Sequence, residues 1–469
     1  MKTIIKNIIL TGNGILTISM LFSLFIIIGC EDFIDVDDPN GQILQQTVFE
    51  DEGTAEAAVT SLYGKLRDEV LLTGNSTGMS ILMGFYSDDL EYFGSPGQPL
   101  ENIYRHQIIS SDENVAVLWN GVYNLIYMSN SAIEGIESSQ NLSVEIKKQL
   151  TGEALFIRAL SHFYLVNLFG DIPYITTTDY LVNKDVSRMS TDEVYSMIIS
   201  DLLSAKSKLG TEYISGERVR VNRFVVSALL ARVYLYMEEW AKAEAESSEL
   251  INNSSMFHLE NDVNSEFLKE SASAILQLKP KNEGDNTKEA ANLIFVSGPP
   301  IFAALPPDLI ASFESGDLRR TNWVSEVTDG NQLWYAPFKY KQLENTGTSI
   351  EYSIVMRIAE QYLIRAEARV HLGNLPEAKQ DINIIRNRAG LPDTTAISAA
   401  DILETIMKER KHELFMEHGH RWFDLKRTGQ ANEALAPIKA NWKSTDILLP
   451  IPEVELLMNP NLAPQNPGY

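Results

Sequence analysis

A segment near the carboxyl terminus, KHELFMEHGH, gathers side chains that can ligate zinc. Its candidate ligands are His412, Glu413, Glu417, His418 and His420. The zinc motif H-E-x-x-H needs two histidines four positions apart on one helix face, and the residue four positions after His412 is Met416. Residues six apart, such as His412 and His418, diverge by roughly 120° at about 3.6 residues per turn. The spacing argues against a metal site, and we predict neither a metal nor a cofactor.

Two other patterns resemble parts of hydrolase sites. GNSTG at 74–78 matches the nucleophile motif G-x-S-x-G, with Ser76 as the nucleophile. That motif requires a strand before it and a helix after it in an alternating α/β chain, whereas this chain shows helical repeats. Asp88 and Asp89 are adjacent acids of the type that glycosidases use, but adjacent acids are expected in a chain with 63 of them. We therefore predict no catalytic residue.

Cys30 is the only cysteine of the 469 residues. It follows an amino-terminal segment that carries two lysines and then an apolar stretch, dense over residues 15–28 and closed by Gly29. A positive end, an apolar middle and a small residue at the junction are typical of a secretory signal peptide. We predict that residues 1–29 are this signal.

A transmembrane anchor is the alternative for the same segment, because it is long enough to cross a bilayer of about 30 Å. Polar residues interrupt it at Asn7, Thr11, Asn13 and Thr17. No cluster of basic residues follows it, as the charge rule for membrane spans would require. These features favour the signal peptide.

The residues IIGC that end at Cys30 resemble a bacterial lipobox. The resemblance implies that Cys30 becomes the mature amino terminus and carries several acyl chains, palmitate among them, and two or more chains anchor a protein stably. Residues 30–45 are acidic and include a Pro-Asn-Gly turn signal, which is typical of a tether. Acids directly after the cysteine also resemble the surface-export signal of Bacteroidota lipoproteins.

The acidic balance of the chain limits its partners. The formal net charge is −24, and loss of Lys2 and Lys6 with the signal makes it −26. Such a charge disfavours nucleic acid and anionic lipid surfaces as partners.

Two stretches of the body resemble each other at a helical period. Residues 227–251 and 362–385 align so that Ala231 matches Ala366 and Ala243 matches Ala378. Small residues at matched positions allow two helices to approach closely, and the pattern resembles the tetratricopeptide unit. We predict a mainly α fold with a tetratricopeptide-like helical-repeat framework.

Two regions break the helical pattern, residues 73–110 and about 255–350. They are rich in Gly, Pro and aromatic residues, which is incompatible with long helices. In a repeat scaffold, insertions tend to gather on one face, which is often the binding face.

A charged run at 408–429 mixes large apolar residues with acids and bases. A solvated helix face would not interleave them so densely, and an unpaired buried charge is costly. We predict that several of these charges are buried in pairs and lock the last helices together.

These pieces together resemble the SusD/RagB family of surface lipoproteins from Bacteroidota nutrient-uptake systems. The matching segments, in family order after the lipobox, are FIRALSHFYLVNLFGDIPYI, ALLARVYLY, MRIAEQYLIRAEARVHLGN, INIIRNRAG, ERKHELFMEHGHRWFDLKRTG and LLPIPEVELLMNPNLAPQNPGY. The resemblance implies one domain over residues 46–469 with four tetratricopeptide-like helix pairs.

The same resemblance implies a function. A member of this family is a non-catalytic protein, lipid-anchored at the outer membrane and facing the cell surface. It sits as a lid on a TonB-dependent, SusC-like β-barrel transporter, captures a glycan and delivers it to the barrel. Some members take peptides instead. A surface glycoside hydrolase and a scaffold for protein partners remain as alternatives.

A sugar receptor needs exposed aromatic rings beside polar groups. In helical patterns, Trp119, Trp240 and Trp422 are expected in the core. The candidate ligand-binding residues lie in the two irregular regions instead. They are Trp323, Trp334, Tyr335, Tyr92 and Phe93.

Overall fold

A computed structural model describes residues 48–469 of the chain. The predicted signal peptide, Cys30 and the tether at 30–45 lie outside the described residues. Across the described part of the chain, none of the helices combines the length and the apolar character that a membrane crossing requires.

The described residues fold mainly as α-helices joined by short strands. The helices are α1 (Glu52–Asp68), α2 (Met79–Tyr86), α3 (Pro99–Arg105), α4 (Glu113–Ser138), α5 (Val144–Phe169), α6 (Tyr180–Asn183), α7 (Thr191–Lys208), α8 (Arg223–Tyr236), α9 (Trp240–Ile251), α10 (Lys288–Leu293), α11 (Pro307–Ser312), α12 (Leu318–Asn322), α13 (Ile358–His371), α14 (Leu375–Arg388), α15 (Ala399–Leu414), α16 (His420–Arg427), α17 (Ala431–Leu435) and α18 (Glu453–Met458). The strands are β1 (Glu91–Tyr92), β2 (Ala274–Leu278), β3 (Ala303–Ala304), β4 (Val324–Thr328), β5 (Leu333–Pro337) and β6 (Ser353–Arg357). They pair antiparallel as β1 with β3, β2 with β6, and β4 with β5.

Local sequence signals set the ends of the long helices. The Asp112 side chain accepts a hydrogen bond from the backbone N–H of Asn114 at the start of α4, and Ser143 does the same for Ile146 at the start of α5. Each satisfies a helix N–H that has no partner within the helix. At the other end of α5, Gly170 adopts a φ of 74°, which glycine tolerates readily. The helix ends at this glycine.

The two repeated stretches form the helix pairs α8–α9 and α13–α14, and α9 packs against α13. The matched small residues Ala231, Ala243, Ala366 and Ala378 are each 0% exposed. An alanine at these positions lets the helix backbones approach closely, as the alignment predicts. The mainly α fold with its tetratricopeptide-like framework is confirmed.

The first irregular region is more regular than its composition suggests. Its helix α2 carries the apolar run MSILMGFY, and every residue of this helix is buried. A helix that is apolar all round belongs inside a protein, so α2 is part of the core rather than of a surface loop. The exposed residues of this region lie after β1, chiefly over 95–99.

The two irregular regions meet each other in the folded chain. Strand β1 pairs with β3, with Glu91 opposite Ala304 and Tyr92 opposite Ala303. One residue further on, the N–H of Phe93 donates to the carbonyl of Phe302 at 2.8 Å. The regions therefore form one face, as expected for insertions in a repeat scaffold.

A cluster of buried ions fixes the second region to the helical framework. At the end of β6, Arg357 donates to Glu417 at 2.8 and 2.9 Å, to Glu266 at 3.1 Å and to Glu413. Lys339, from the second region, contacts the Glu417 carboxylate and donates to the Glu413 carbonyl at 2.7 Å. Burial alone would raise the pKa of Glu417, but Arg357 and Lys339 hold it at about 2. Glu417 is therefore charged at neutral pH although it is buried.

Residues of the charged run at 408–429 take part in this cluster and in further buried ion pairs. Arg410 donates to Asp424 at 2.7 Å, and Arg427 binds Glu367 of α13. Arg421 contacts Asp88, beyond the end of α2, at 2.6 and 2.9 Å. The predicted burial of paired charges is confirmed. The Arg410–Asp424 pair joins the last helices to each other, as predicted, and the other two pairs also join them to Glu367 and Asp88.

We predict that Arg421→Ala destabilises the fold. Both side chains of the Arg421–Asp88 pair are nearly buried, at 12% and 14% exposure, so the substitution leaves a buried carboxylate short of a partner. Lys411 still contacts Asp88 at 3.0 Å, so we expect a loss of about 3 kcal/mol, the lower end for breaking a buried pair. Urea denaturation followed by circular dichroism measures this loss.

Arg105→Ala is the matched control for that experiment. Arg105 forms an i,i+4 pair with Glu101 but is 54% exposed, and pairs of this kind contribute about 1 kcal/mol or less. A stability of Arg421→Ala equal to that of the wild type, combined with lost ligand binding, would contradict the structural role and make Arg421 part of a binding site.

Candidate ligand-binding cleft

A cavity of about 620 Å³ opens where the two irregular regions meet, and we call it the cleft. The first region contributes Asn75, Ser76 and Thr77 to its lining. The second contributes Ala291, Asn292, Leu293, Ile294, Phe295, Ile301, Phe302 and Ala303. The cleft therefore depends on contacts between residues that are far apart in the chain.

One wall of the cleft is polar, because the 73–78 turn and α10 face it with amides and hydroxyls. The turn is tight: a Cβ on Gly78 would lie 1.7 Å from the Thr73 carbonyl oxygen, so only glycine fits there. The Asn292 amide donates to the carbonyls of Gly74 at 3.0 Å and Lys288 at 2.9 Å. These bonds hold the turn against α10 and set the positions of Asn75, Ser76 and Thr77.

The opposite wall is apolar. It is formed by the chain that leaves α10 and returns to β3, with Phe295 and Phe302 half-buried and Ile301 88% exposed. Phe302 packs edge-on against Phe85 of α2, with the ring centres 5.6 Å apart. The buried helix α2 thus supports the aromatic wall from below.

This pairing of walls suits a ligand with an apolar face and a polar rim. The aromatic and aliphatic side chains can cover C–H groups, while amides and hydroxyls can both donate and accept hydrogen bonds. The lining residues named above include no acid, base or thiol, so the Ser76 and Thr77 hydroxyls have no basic side chain in the lining to activate them. The geometry favours binding.

Trp334 lies beside the cleft and is the best placed of the predicted aromatic residues. Its ring packs on Gly298, where a Cβ would come within 2.1 Å of Cζ3, and Gly298 belongs to the segment that carries Phe295 and Ile301. The Trp334 side chain is half-buried. Within residues 48–469 its indole N–H has no hydrogen-bond partner, so it is available to a ligand.

Tyr335 follows Trp334 but faces the other way. Antiparallel register places Trp334 opposite Val327 and Tyr335 opposite Glu326, and successive residues of a strand point to opposite faces. The Arg320 guanidinium covers the Tyr335 ring at 5.3 Å and also pairs with Glu326. Trp334 and Tyr335 therefore cannot contact one ligand from the same side.

Tyr92 and Phe93 also differ from each other in their contacts. The Tyr92 hydroxyl donates to the Ser95 carbonyl at 3.0 Å, and its ring packs edge-on against Phe85 at 5.5 Å. These contacts make Tyr92 a support for the loop. Phe93 is half-buried and lies across from Phe302, a cleft residue. Both residues are joined to cleft residues through the backbone, and neither is among the residues that line the cleft.

Trp323 is a core residue, which corrects its assignment to a ligand platform. It is 0% exposed, its indole N–H donates to the Val263 carbonyl at 2.9 Å, and Phe267 packs edge-on against it at 5.4 Å. No ring face is left for a ligand. The Pro- and Gly-rich surroundings of Trp323 in the sequence gave no sign of this burial.

Other tryptophans follow the sequence pattern more closely. Trp119 and Trp422 are 3% and 2% exposed, as predicted for core residues. Trp240 is half-buried and stacks on His371, with the ring centres 3.9 Å apart and the planes 6° from parallel.

The stacked pair lies in a larger cavity, of about 1150 Å³, within the helical framework. We favour the smaller cleft as the ligand site for two reasons. One face of Trp240 is already covered by His371, and the cations of this larger cavity are paired with carboxylates of the chain, as for Arg421 with Asp88 and Arg427 with Glu367. The cleft is lined by both irregular regions, whereas the cavity around Trp240 is lined mainly by framework helices.

His412 and His418 of the carboxyl-terminal segment contact different parts of the chain. The Nε2 atom of His412 lies 2.8 Å from the Ser312 hydroxyl, and Nε2 of His418 donates to the Ile354 carbonyl at 2.9 Å. Burial, and then the nearby Arg319, lower the pKa of His412 to about 2. Over residues 48–469, His, Cys, Asp and Glu form no group that could hold a metal ion.

Sequence reasoning missed several cleft residues. Asn75 and Asn292 are ordinary polar residues in the sequence, and Phe295 follows an apolar run that continues from α10. Ser76 attracted attention only through the hydrolase motif, yet it lies on the polar wall. The available signal was the irregularity of both regions, which located the cleft without naming its residues.

Two family models match the sequence. One, described as starch-binding associating with outer membrane, matches residues 33–235. The other, the SusD family, matches residues 320–469. A similar curated protein is SusD-like protein P2 of Formosa agariphila, which is 29% identical over 514 residues and covers 96% of this chain and 99% of its own.

Solved structures share the fold. A SusD superfamily protein from Bacteroides vulgatus superposes with a TM-score of 0.79 at 22% identity, covering 90% of this chain and 100% of its own. A protein described as a laminarin-binding SusD-like protein superposes with a TM-score of 0.74 at 24% identity, covering 90% and 100%. At these identities the likeness concerns the fold.

We predict that two tryptophan substitutions lower the stability by different amounts. Trp323→Ala removes a fully buried ring and should cost about 3–5 kcal/mol of unfolding free energy. Trp334→Ala removes a half-buried ring outside the core and should cost about 1 kcal/mol or less. Chemical denaturation of both variants beside the wild type measures the difference. Equal losses would contradict the distinction drawn between these residues.

Proposed function

The chain belongs to the SusD family, and from this membership together with the cleft we propose that it is a glycan-binding lipoprotein of the outer membrane. It captures oligosaccharide or polysaccharide at the cell surface and passes it to a partner transporter. The observation that carries the proposal is the cleft, where polar residues of the 73–78 turn and α10 line one cavity together with apolar and aromatic residues of the segment between α10 and β3.

The chemistry of the two walls matches that of a sugar ring. A pyranose presents C–H groups on its faces and hydroxyls around its edge. Rings such as Phe295, Phe302 and Trp334 cover the C–H groups. Amides and hydroxyls of Asn75, Thr77 and Asn292 form hydrogen bonds with the sugar hydroxyls. Each hydroxyl is both a donor and an acceptor, which is why uncharged polar groups suffice.

Two findings among the relatives support a glycan. The amino-terminal family model is described as starch-binding, and a protein with the same fold is described as laminarin-binding. A peptide is the alternative ligand for the same lid role. A hydrolase is disfavoured because the lining of the cleft lacks a pair of carboxyl groups of the kind that glycosidases use.

The partner and the anchor are parts of the same proposal. The resemblance to a lipobox at Cys30 supports attachment of the mature chain to a membrane through acyl chains. Family membership supports a TonB-dependent, SusC-like β-barrel as the transporter that receives the glycan. The chain then acts as a lid, and the tether at 30–45 joins the lid to its anchor.

We predict that Trp334→Ala weakens glycan binding without unfolding the protein. Loss of one stacking ring should cost about 1–3 kcal/mol, which corresponds to a roughly 5- to 150-fold weaker complex. Isothermal titration calorimetry against starch, laminarin and other soluble polysaccharides measures the affinity, and circular dichroism confirms the fold.

Tyr180→Ala is a suitable control for that titration. Tyr180 is an aromatic residue on α6, 73% exposed and outside the cleft, so its loss should leave the affinity unchanged. If the folded Trp334→Ala protein bound glycan as tightly as the wild type, the platform would lie elsewhere. If the wild type bound peptides and no glycan, the result would be compatible with the lid role but would contradict the carbohydrate assignment.

We also predict that Cys30→Ala releases the protein from the membrane. The substitution removes the thiol that the acyl chains would modify, so the protein should move from the outer-membrane fraction to soluble fractions. Cell fractionation followed by immunoblotting measures the distribution. Unchanged membrane retention of Cys30→Ala, with the signal peptide still removed, would contradict the lipoprotein assignment.

A further inference from the structure

The lining of the cleft carries no charge at all. Its polar members are the amides of Asn75 and Asn292 and the hydroxyls of Ser76 and Thr77, and the remaining members are apolar. This composition stands out in a protein whose formal net charge is −24. It bears directly on the kind of glycan that fits, because many polysaccharides carry carboxylate or sulfate groups.

Three basic side chains on elements around the cleft already contact other groups of the chain. On α10, Lys288 pairs with Asp68 at 2.8 Å. Arg320 pairs with Glu326 and covers Tyr335. Lys439 is 6% exposed and lies 3.8 Å above the Tyr104 ring, where it donates to the Phe85 carbonyl at 2.9 Å.

Carboxylates beside β3 have no such partners. Glu91 lies opposite Ala304 of β3, and Asp308 is exposed in the first turn of α11. Neither forms an ion pair with any residue between 48 and 469. Burial, and with it the proximity of Asp308, raises the pKa of Glu91, although Lys439 opposes the effect. Neither carboxylate is therefore neutralised by a direct ion pair with a cation of the described chain.

We propose that the cleft selects neutral glycans and rejects those that carry uronate or sulfate groups. The inference rests on the proposed glycan-binding function and specifies its substrate class. Proteins bind such anions through arginine and lysine, whose charged hydrogen bonds compensate for the water that is lost. An anionic sugar in this cleft would lose its hydration and find only amides and hydroxyls in the lining, with no cation to compensate for its charge.

The test compares polymers that differ only in charge. The full-length lipoprotein, solubilised in detergent, is titrated with neutral glucans such as laminarin and starch. Each glucan that binds is then oxidised at C6 to the uronate and titrated again. We expect the oxidised polymer to bind at least about tenfold more weakly, because a carboxylate without a cation is costly to bury.

A gain-of-function variant sharpens the comparison. Asn292→Arg places a cation on the polar wall and should improve binding of the oxidised glucan relative to the wild type. Thr77→Lys serves the same purpose should the first variant not fold. Gln140→Arg, at an exposed position after α4, adds the same charge away from the cleft and should change nothing.

The outcomes separate this inference from the function on which it rests. Oxidised glucan bound as tightly as its neutral parent, or binding restricted to anionic polysaccharides, would overturn the inference and leave glycan binding intact. Equal gains from Asn292→Arg and Gln140→Arg would overturn it as well, because the effect would then come from net charge. Binding of no glycan, neutral or anionic, would overturn the proposed function and the inference together.

Discussion

The buried ion cluster at the ends of β6 and α15 is the constraint on which the architecture depends. Arg357 holds Glu266, Glu413 and Glu417 together, all of them almost fully removed from water. Burying one such charge alone would be prohibitive, whereas the complete cluster satisfies its members mutually. Glu266 and Lys339 come from the second irregular region and the other members from the framework, so the cluster can form only when that region is seated on the helices.

Attachment of the second irregular region to the helices also forms the cleft. Once the segment between β2 and β6 is fixed, β3 is in place to pair with β1, and the 73–78 turn meets α10. The aromatic wall then rests on the buried helix α2 through Phe302 and Phe85. The charged residues thus act at a distance from the ligand, and the cleft that they position is itself uncharged.

Sequence patterns predicted the framework well because helix pairs are specified locally. The alanines at 231, 243, 366 and 378 recur at helical spacing, and the density of charge at 408–429 already indicated buried pairs. The cleft was less predictable, because its walls lie more than 200 residues apart, as the Asn292–Gly74 hydrogen bond shows. Trp323 and Trp334 lie in the same irregular region, and only the tertiary packing decides that one is buried and the other is half-buried.

The central claim is that the ligand binds where the two irregular regions meet. Hydrogen–deuterium exchange with and without a neutral glucan tests it most directly, because it reports protection along the whole backbone without a substitution. The account predicts slower exchange on ligand addition in residues 74–78 and 291–303, with the framework unchanged. Protection confined to the framework cavity around Trp240 and His371, with the cleft unaffected, would contradict it.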